Sequence, residues 1–103
     1  MKEIFSGIYK SGNDIFTISA LPGTKVYNEK IVRQEGKEFR HWDPTRSKLA
    51  AAILNGLKEN PIKDSSKILY LGASTGTTTS HVSDIVGKDG IVYAIEFADR
   101  VFQ

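Results

Sequence analysis

The chain has 103 residues, a formal net charge of +2 and no cysteine. This length allows at most one ordinary domain with a modest core, and the lack of cysteine excludes disulfides and cysteine-ligated metal. The mildly basic charge permits an RNA partner without arguing strongly for one. No apolar run approaches the roughly 18 residues of a membrane span and no signal-peptide pattern is present, so we expect a soluble, cytoplasmic protein.

Residues 1–42 predict a small antiparallel β domain, because short β-prone runs alternate with turn signals. The predicted pieces are a first strand with apolar pairs on either side of Gly7, a turn at 11–14, a second strand from Ile15, a third at 30–34, a turn at 35–37 and a fourth at 38–42. The lysine, arginine and glutamate side chains of these strands are interpreted as a solvated face that also blocks edge pairing.

His41 and Trp42 close the last predicted strand and allow two interpretations. They are either a stacking platform for RNA bases or the end of an amphipathic strand that packs on the next domain. Composition and spacing alone leave both open.

Asp43 and Pro44 predict the start of a helix, with the carboxylate as N-cap and the proline at the first helical position. Apolar residues at i, i+4 and i+8 give this helix one buried face, formed by Leu49, Ile53 and Leu57. The pair at 60–61, Asn-Pro, predicts its end. Lys48 lies near the start, where the helix dipole disfavours a cation, and on these grounds alone it is a surface lysine.

Residues 67–96 predict a β-α-β unit. Its pieces are a compact apolar strand at 67–71, a glycine-rich turn at 72–77, a helix from about Thr79, a glycine cap at Gly87 and a second strand at 91–95. The apolar first strand predicts a parallel sheet covered on both faces. The small residues of the turn let the backbone come close to a ligand.

Glu96 lies twenty residues after Gly76, where a carboxylate in a nucleotide-type unit accepts hydrogen bonds from ribose hydroxyls. The turn is neither the dinucleotide fingerprint nor a phosphate loop, and no lysine directly follows Gly76 to pair with a triphosphate. A ligand with a ribose but no phosphates fits better, and S-adenosylmethionine is the common one. A β-α-β unit that binds no ligand is the alternative that the sequence leaves open. Phe97 is interpreted either as an adenine contact or as core packing.

The same turn also matches G-x-S-x-G, the nucleophile elbow of serine hydrolases, with Ser74 as nucleophile. Such enzymes need an acid and then a histidine later in the chain. The only later histidine, His81, is predicted on the first turn of the adjoining helix, where triad geometry with Ser74 is unfavourable. The hydrolase therefore stays a remote alternative.

The block from Trp42 to Phe97 resembles the fibrillarin family, and its archaeal form most closely. The matching pieces are HWDPTRSKLAAAILNGLK, NPI, SKILYLGASTGTTTSHVSDIVG and GIVYAIEF, with VYNEKIV in the N-terminal unit. The resemblance implies an α/β fold with a small N-terminal antiparallel β domain at 1–42. It is followed, at 43–103, by the first part of a Rossmann-like S-adenosylmethionine methyltransferase sheet, so the domain is incomplete.

The resemblance also implies an activity, 2′-O-methylation of ribose in rRNA or tRNA inside a box C/D guide ribonucleoprotein. The implied partners are a Nop-domain scaffold protein, the kink-turn-binding protein of the particle, and guide and target RNA. A second chain that carries the missing C-terminal half is a further possible partner. The competing interpretation is a non-catalytic docking module that needs such a complementing chain.

By position, the resemblance implies a cofactor site and one catalytic residue. The cofactor residues would be Gly72 and Ala73 under S-adenosylmethionine, Thr78 and Thr79 at its methionine end through backbone and hydroxyl contacts, Glu96 on the ribose hydroxyls and Phe97 beside the adenine. Lys48 would be the first member of a Lys-Asp-Lys-His set near the target hydroxyl. Because its other members would lie beyond Gln103, we expect this chain alone to be inactive and only marginally folded.

Overall fold

The computed structural model describes residues 1–71 and 76–95 of the chain. The N-terminal part consists of five strands, β1 (Lys2–Phe5), β2 (Ile8–Ser11), β3 (Asp14–Ile18), β4 (Ile31–Gln34) and β5 (Lys37–His41). They form one antiparallel sheet in the order β1-β2-β3-β5-β4. The predicted β unit is therefore present, with one correction. The first predicted strand is two strands, because Gly7 takes a φ of 75° and reverses the chain.

Helix α1 (Lys48–Leu54) begins later and ends earlier than predicted. Its N-cap is Ser47, whose hydroxyl oxygen accepts the backbone N–H of Ala50 at 3.3 Å. Asp43 instead accepts from the N–H and the hydroxyl of Thr45, at 2.9 and 2.7 Å, and so forms a turn before the helix. Gly56, at a φ of 98°, follows the end of the helix well before the predicted Asn-Pro stop.

The β-α-β unit is confirmed as strand β6 (Lys67–Leu71), helix α2 (Thr77–Val86) and strand β7 (Ile91–Ile95). The two strands are parallel and pair from Lys67 with Ile91 to Leu71 with Ile95. Gly90 is needed where the chain enters β7, because a Cβ there would lie 2.4 Å from the Cβ of Val86. Within the described ranges, neither helix has the length and apolar character needed to cross a membrane.

One face of the β6–β7 pair is exposed, which corrects the prediction that these strands are covered on both faces. Leu69 is 61% exposed and its register partner Tyr93 is 58% exposed. We call this surface the apolar face, and its members are Leu69, Leu71, Ile91, Tyr93 and Ile95. The described part of the chain thus covers only the side of the pair opposite this face.

In the described part of the chain, a hydrophobic core joins the β sheet to the helices. Its buried members are Ile8, Ile15, Trp42, Ala50, Ile53 and Ile85. Three side chains of the predicted α1 stripe pack there, Ile53 as a buried member and Leu49 and Leu57 as partly buried neighbours. Because the core draws on strands β2 and β3 and on both helices, the sheet and the β-α-β unit stabilise each other.

Candidate cofactor and catalytic site

A buried ionic cluster fixes α2 against the β sheet. The guanidinium of Arg40, on β5, contacts Glu29 at 2.6 Å and Asp84 of α2 at 2.7 Å, and it donates to the Ser80 hydroxyl at 2.9 Å. The charged side chains are between 0 and 4% exposed. These four residues are called the Arg40 cluster. The expectation that charges on these strands form a solvated face is wrong for Arg40, although Arg33 remains 72% exposed.

The carboxylates of the Arg40 cluster respond differently to burial. Burial by itself would raise the pKa of Glu29, but the N–H groups of Tyr27 and Val26 and the Arg40 guanidinium outweigh it and lower this pKa to about 2. For Asp84, burial prevails over its hydrogen bonds and raises the pKa. Glu29 is therefore the firmly ionised partner of Arg40.

His81 of α2 is fully buried, and its two ring nitrogens contact strand β3 and the loop that precedes β4. Its Nδ1 lies 2.8 Å from the Thr17 hydroxyl and its Nε2 lies 2.6 Å from the Tyr27 hydroxyl. Burial, and then the nearby Arg40 charge, lower the pKa of His81 to about 3, so the ring is neutral at physiological pH. A histidine engaged in this way is a poor general base, which counts against the serine hydrolase alternative.

Helix α2 begins at an N-cap residue that has no side chain with which to cap it. Its N-cap is Gly76, which takes a left-handed conformation with a φ of 83°, and its first turn carries no acidic residue. The first N–H groups of a helix have no partner within the helix, and the helix dipole favours an anion there. The start of α2 is therefore suited to a carboxylate, such as that of a methionine group.

The two threonines predicted to hold the cofactor lie in this first turn and use their hydroxyls differently. The Thr79 hydroxyl donates to the carbonyl of Gly76 at 3.2 Å, and the side chain is half-buried. The Thr78 hydroxyl points to α1 and donates to the Ser47 hydroxyl oxygen at 2.7 Å. Thr78 is only 7% exposed, so its hydroxyl proton is engaged inside the protein.

Lys48 is exposed and is the first residue of α1, directly after Ser47. Within residues 1–71 and 76–95 it forms no salt bridge, and the first turn of α1 holds no acidic side chain. The fold thus brings Lys48 and Thr78, two residues predicted for the site, to adjoining helix starts that Ser47 joins.

The sequence of the whole chain matches one family: the profile described as Fibrillarin covers residues 1–103. The chain belongs to the fibrillarin family. A fibrillarin-like rRNA/tRNA 2′-O-methyltransferase of Methanococcus vannielii is 56% identical over 110 residues, which cover 100% of this chain and 46% of that protein. A fibrillarin-like rRNA/tRNA 2′-O-methyltransferase of Thermococcus onnurineus is 52% identical, and this chain covers 47% of that protein.

Solved fibrillarins share the fold. A fibrillarin of Aeropyrum pernix, crystallised with natively bound S-adenosyl-L-methionine, matches with a TM-score of 0.80 and 53% identity over 86% of this chain and 39% of that one. A pre-rRNA processing fibrillarin of Methanococcus jannaschii matches with a TM-score of 0.87 and 56% identity over 98% of this chain and 46% of that one. The predicted family and α/β class are confirmed, and the chain spans about half the length of its relatives.

Four of the fibrillarin site residues predicted from the sequence lie outside the described residues, as does Ser74. They are Gly72, Ala73, Glu96 and Phe97. The residues just before these segments, Leu71 and Ile95, are register partners at the ends of parallel strands. The glycine-rich turn and the predicted ribose acceptor therefore follow strands that end side by side, as a nucleoside site requires.

Trp42 is a packing residue and is not available to stack on RNA bases. Its indole is fully buried and lies parallel to the His81 ring, with the ring centroids 4.9 Å apart. His41 keeps some exposure and packs edge-on against Phe16 at 5.5 Å. Of the two interpretations of this pair, packing on the next part of the chain is confirmed for Trp42.

Proposed function

We propose that this chain is the cofactor-binding half of an S-adenosylmethionine-dependent RNA 2′-O-methyltransferase that acts on rRNA or tRNA. The observation that carries the proposal is its 53% identity, over 86% of its length, to a fibrillarin with natively bound S-adenosyl-L-methionine. The start of α2, where the N-cap Gly76 supplies no side-chain cap and the first turn has no acidic residue, fits the carboxylate of such a cofactor.

The proposed cofactor residues follow the ends of two neighbouring strands, β6 and β7. The backbone of Gly72 and Ala73 would pass under the cofactor, and Thr78 and Thr79 would hold its methionine end at the start of α2, Thr78 through its backbone N–H because its hydroxyl donates to Ser47. Glu96 would accept the ribose hydroxyls, and Phe97 would lie beside the adenine. When bound, S-adenosylmethionine supplies a methyl group already activated by the sulfonium, so the protein's task is to orient the acceptor and remove its proton.

Lys48 is the proposed catalytic residue of this half. A ribose 2′-hydroxyl is a weak acid, and a cation beside it stabilises the oxygen as its proton leaves. Lys48 fits this role because it is exposed and has no carboxylate partner in the first turn of α1. The remaining Asp, Lys and His of the set would come from the part of the relatives that this chain does not match.

A complementing segment is part of the proposal. The relatives are about twice as long as the matched region, and the apolar face exposes large side chains that an intact sheet would cover. In a cytoplasmic box C/D particle, the completed enzyme would be held by a Nop-domain scaffold, accompanied by a kink-turn-binding protein and directed to its ribose by guide RNA.

The first experiment is calorimetric titration of S-adenosylmethionine into the chain. We expect binding, and we expect Glu96→Gln to weaken it about ten- to a hundredfold, because hydrogen bonds to a charged acceptor are lost. The alternative ligand S-adenosylhomocysteine should compete. If neither the folded chain nor its complex with the C-terminal part of the Methanococcus vannielii relative binds either compound, the proposal is overturned.

The second experiment tests Lys48 in the completed enzyme. The chain is mixed with the C-terminal part of the Methanococcus vannielii relative, guide and target RNA and the scaffold proteins, and methyl transfer is measured. Lys48→Ala should lower turnover at least about a hundredfold with unchanged cofactor affinity, since a general acid–base group contributes this much. The matched control, Lys58→Ala, removes another exposed lysine. Equal turnover in both variants would contradict the assignment.

The apolar face favours a second candidate, a non-catalytic docking module that binds a complementing chain through it. In that case the chain would bind the C-terminal part of the relative but no S-adenosylmethionine, either alone or in the complex. The same titration, repeated on the complex, separates the two functions.

A further inference from the structure

We propose that Ser47 is a positioning residue that connects the cofactor site to Lys48, an inference that rests on the proposed function. The connection is a single hydrogen bond between two side chains, one at the start of each helix. The Thr78 hydroxyl, on the second residue of α2, donates to the Ser47 hydroxyl oxygen at 2.7 Å, and Ser47 is the N-cap of α1. Lys48 is the next residue in the chain.

This hydrogen bond is buried, and both partners depend on it. Ser47 is 4% exposed and Thr78 is 7% exposed, so water does not readily replace either partner. A buried hydroxyl that loses its hydrogen-bond partner is destabilising, so both side chains favour this contact. The contact therefore holds the two helix starts at a fixed separation.

Helix α1 depends on its cap because it has only seven residues. Isolated helices of this length are not stable, so the conformation of α1 rests on its cap and on packing. The same Ser47 oxygen that receives the Thr78 hydroxyl also accepts the N–H of Ala50 at 3.3 Å. A shift of Thr78 therefore acts directly on the first turn of α1, where Lys48 lies.

The consequence is a coupling between cofactor binding and the orientation of Lys48. A ligand at the start of α2 orders Thr78, which strengthens the Ser47 cap and fixes the backbone of Lys48. By thermodynamic linkage, the factor by which the bound ligand stabilises the Ser47 cap is also the factor by which an intact cap raises the affinity for the ligand. Ser47 touches neither the ligand nor the substrate in this account, and it acts only through its two neighbours.

The test combines hydrogen exchange of the Ala50 amide with calorimetric titration of S-adenosylmethionine into the chain. In the unmodified chain, the ligand should slow exchange at Ala50, a result that a purely structural role of Ser47 does not produce. Ser47→Ala and Thr78→Val should each weaken binding about five- to tenfold, the equivalent of one buried hydrogen bond. Thr78→Val should also speed Ala50 exchange without ligand by a similar factor.

Two controls separate this coupling from general destabilisation. Thr78→Ser keeps the hydroxyl and should restore affinity and Ala50 protection. Ser80→Ala also removes a hydroxyl, on the same helix, but that hydroxyl bonds Arg40 and the Thr77 carbonyl and not α1, so affinity and Ala50 exchange should stay near their original values.

The possible results distinguish this inference from the proposed function. If the unmodified chain binds S-adenosylmethionine but Ala50 exchange does not respond, or if Ser47→Ala and Thr78→Val keep full affinity, the positioning role is wrong while the proposed function stands. If neither the folded chain nor its complex with the C-terminal part of the relative binds S-adenosylmethionine, the proposed function and the coupling both fail. Ala50 exchange in ligand-free Thr78→Val then reports only whether the cap depends on Thr78.

Discussion

Replacing Arg40 by methionine is expected to be among the most destabilising single changes in the sheet. Methionine keeps an unbranched apolar side chain but removes the guanidinium that contacts Glu29 at 2.6 Å and Asp84 at 2.7 Å. The substitution also removes the hydrogen bond to Ser80. Two carboxyl groups that are at most 4% exposed then lose their common cation.

The size of the effect follows from desolvation and not from the lost attraction alone. Removing one partner of a buried ion pair typically costs about 3–5 kcal/mol, because the remaining charge stays buried without compensation. For a domain of this size, 1 kcal/mol corresponds to about 4–8 °C in Tm. Arg40→Met should therefore lower Tm by at least about 12 °C, or abolish the cooperative transition if stability is low.

The assay is urea and thermal denaturation followed by circular dichroism, with Arg33→Met as the matched control. Arg33 lies on β4, is 72% exposed and pairs with Glu38 at 2.9 Å; Glu38 is 7% exposed but also accepts the Gly23 N–H, so loss of Arg33 should cost clearly less than loss of Arg40. Equal losses in the two variants would refute the reasoning. Adding Glu29→Gln and Asp84→Asn to Arg40→Met should recover part of the stability, because no buried charge then remains.

Three further predictions concern acid, close packing and the apolar face. In the folded chain His81 has a pKa of about 3, against 6.5 for a free histidine, so the stability that comes from keeping its ring neutral is fully present above pH 6.5. The free energy of unfolding measured in denaturant titrations should fall by about 2 kcal/mol by pH 5. The pKa of Glu29 is about 2 in the folded chain against 4.5 for a free carboxyl, so the free energy of unfolding should fall by about a further 3 kcal/mol between pH 4.5 and 2. Glu29→Gln should abolish this second stage. Gly90→Ala should lower the free energy of unfolding by about 1–3 kcal/mol, because its Cβ would lie 2.4 Å from a Val86 carbon, and an unchanged Tm would contradict this packing. The apolar face should make the unmodified chain self-associate in sedimentation experiments, and replacing both Leu69 and Tyr93 by glutamate should reduce this association without a large loss of Tm, since these side chains are 61% and 58% exposed.

Local signals in the sequence were sufficient to predict most of the strands. Turn residues and alternating apolar positions located the hairpins, and the apolar runs around the glycine-rich turn located β6 and β7 to the residue. The start of α1 was wrong because two cap residues compete there. Asp43 and Ser47 both suit an N-cap, and the choice depends on Thr45, which occupies the Asp43 carboxylate, and on Thr78, which lies 31 positions away from Ser47.

The Arg40 cluster could not be predicted by the same reasoning, because its members are far apart in the sequence. Arg40 meets Asp84 across 44 positions, and a charged residue on a strand is more often solvated than buried. One signal was available once the pairing was known. Arg40 and Thr17 are register partners on neighbouring strands, and both contact Asp84 of α2, at 2.7 Å each. A pair of polar side chains on the covered face of a sheet indicates a polar partner on the helix above it.

Helix α2 is therefore held from two directions by residues that precede it in the chain. The Arg40 cluster fixes the side of the helix to the β sheet, and Thr78 fixes its first turn to the cap of α1. Neither set of contacts involves the apolar face, which lies on the opposite side of the β6–β7 pair. We therefore expect charged substitutions on that face to weaken binding of the complementing segment and to leave S-adenosylmethionine affinity unchanged. Calorimetry on Leu69→Glu, with S-adenosylmethionine and with the C-terminal part of the Methanococcus vannielii relative as ligands, checks this separation, and a loss of cofactor affinity in this variant would contradict it.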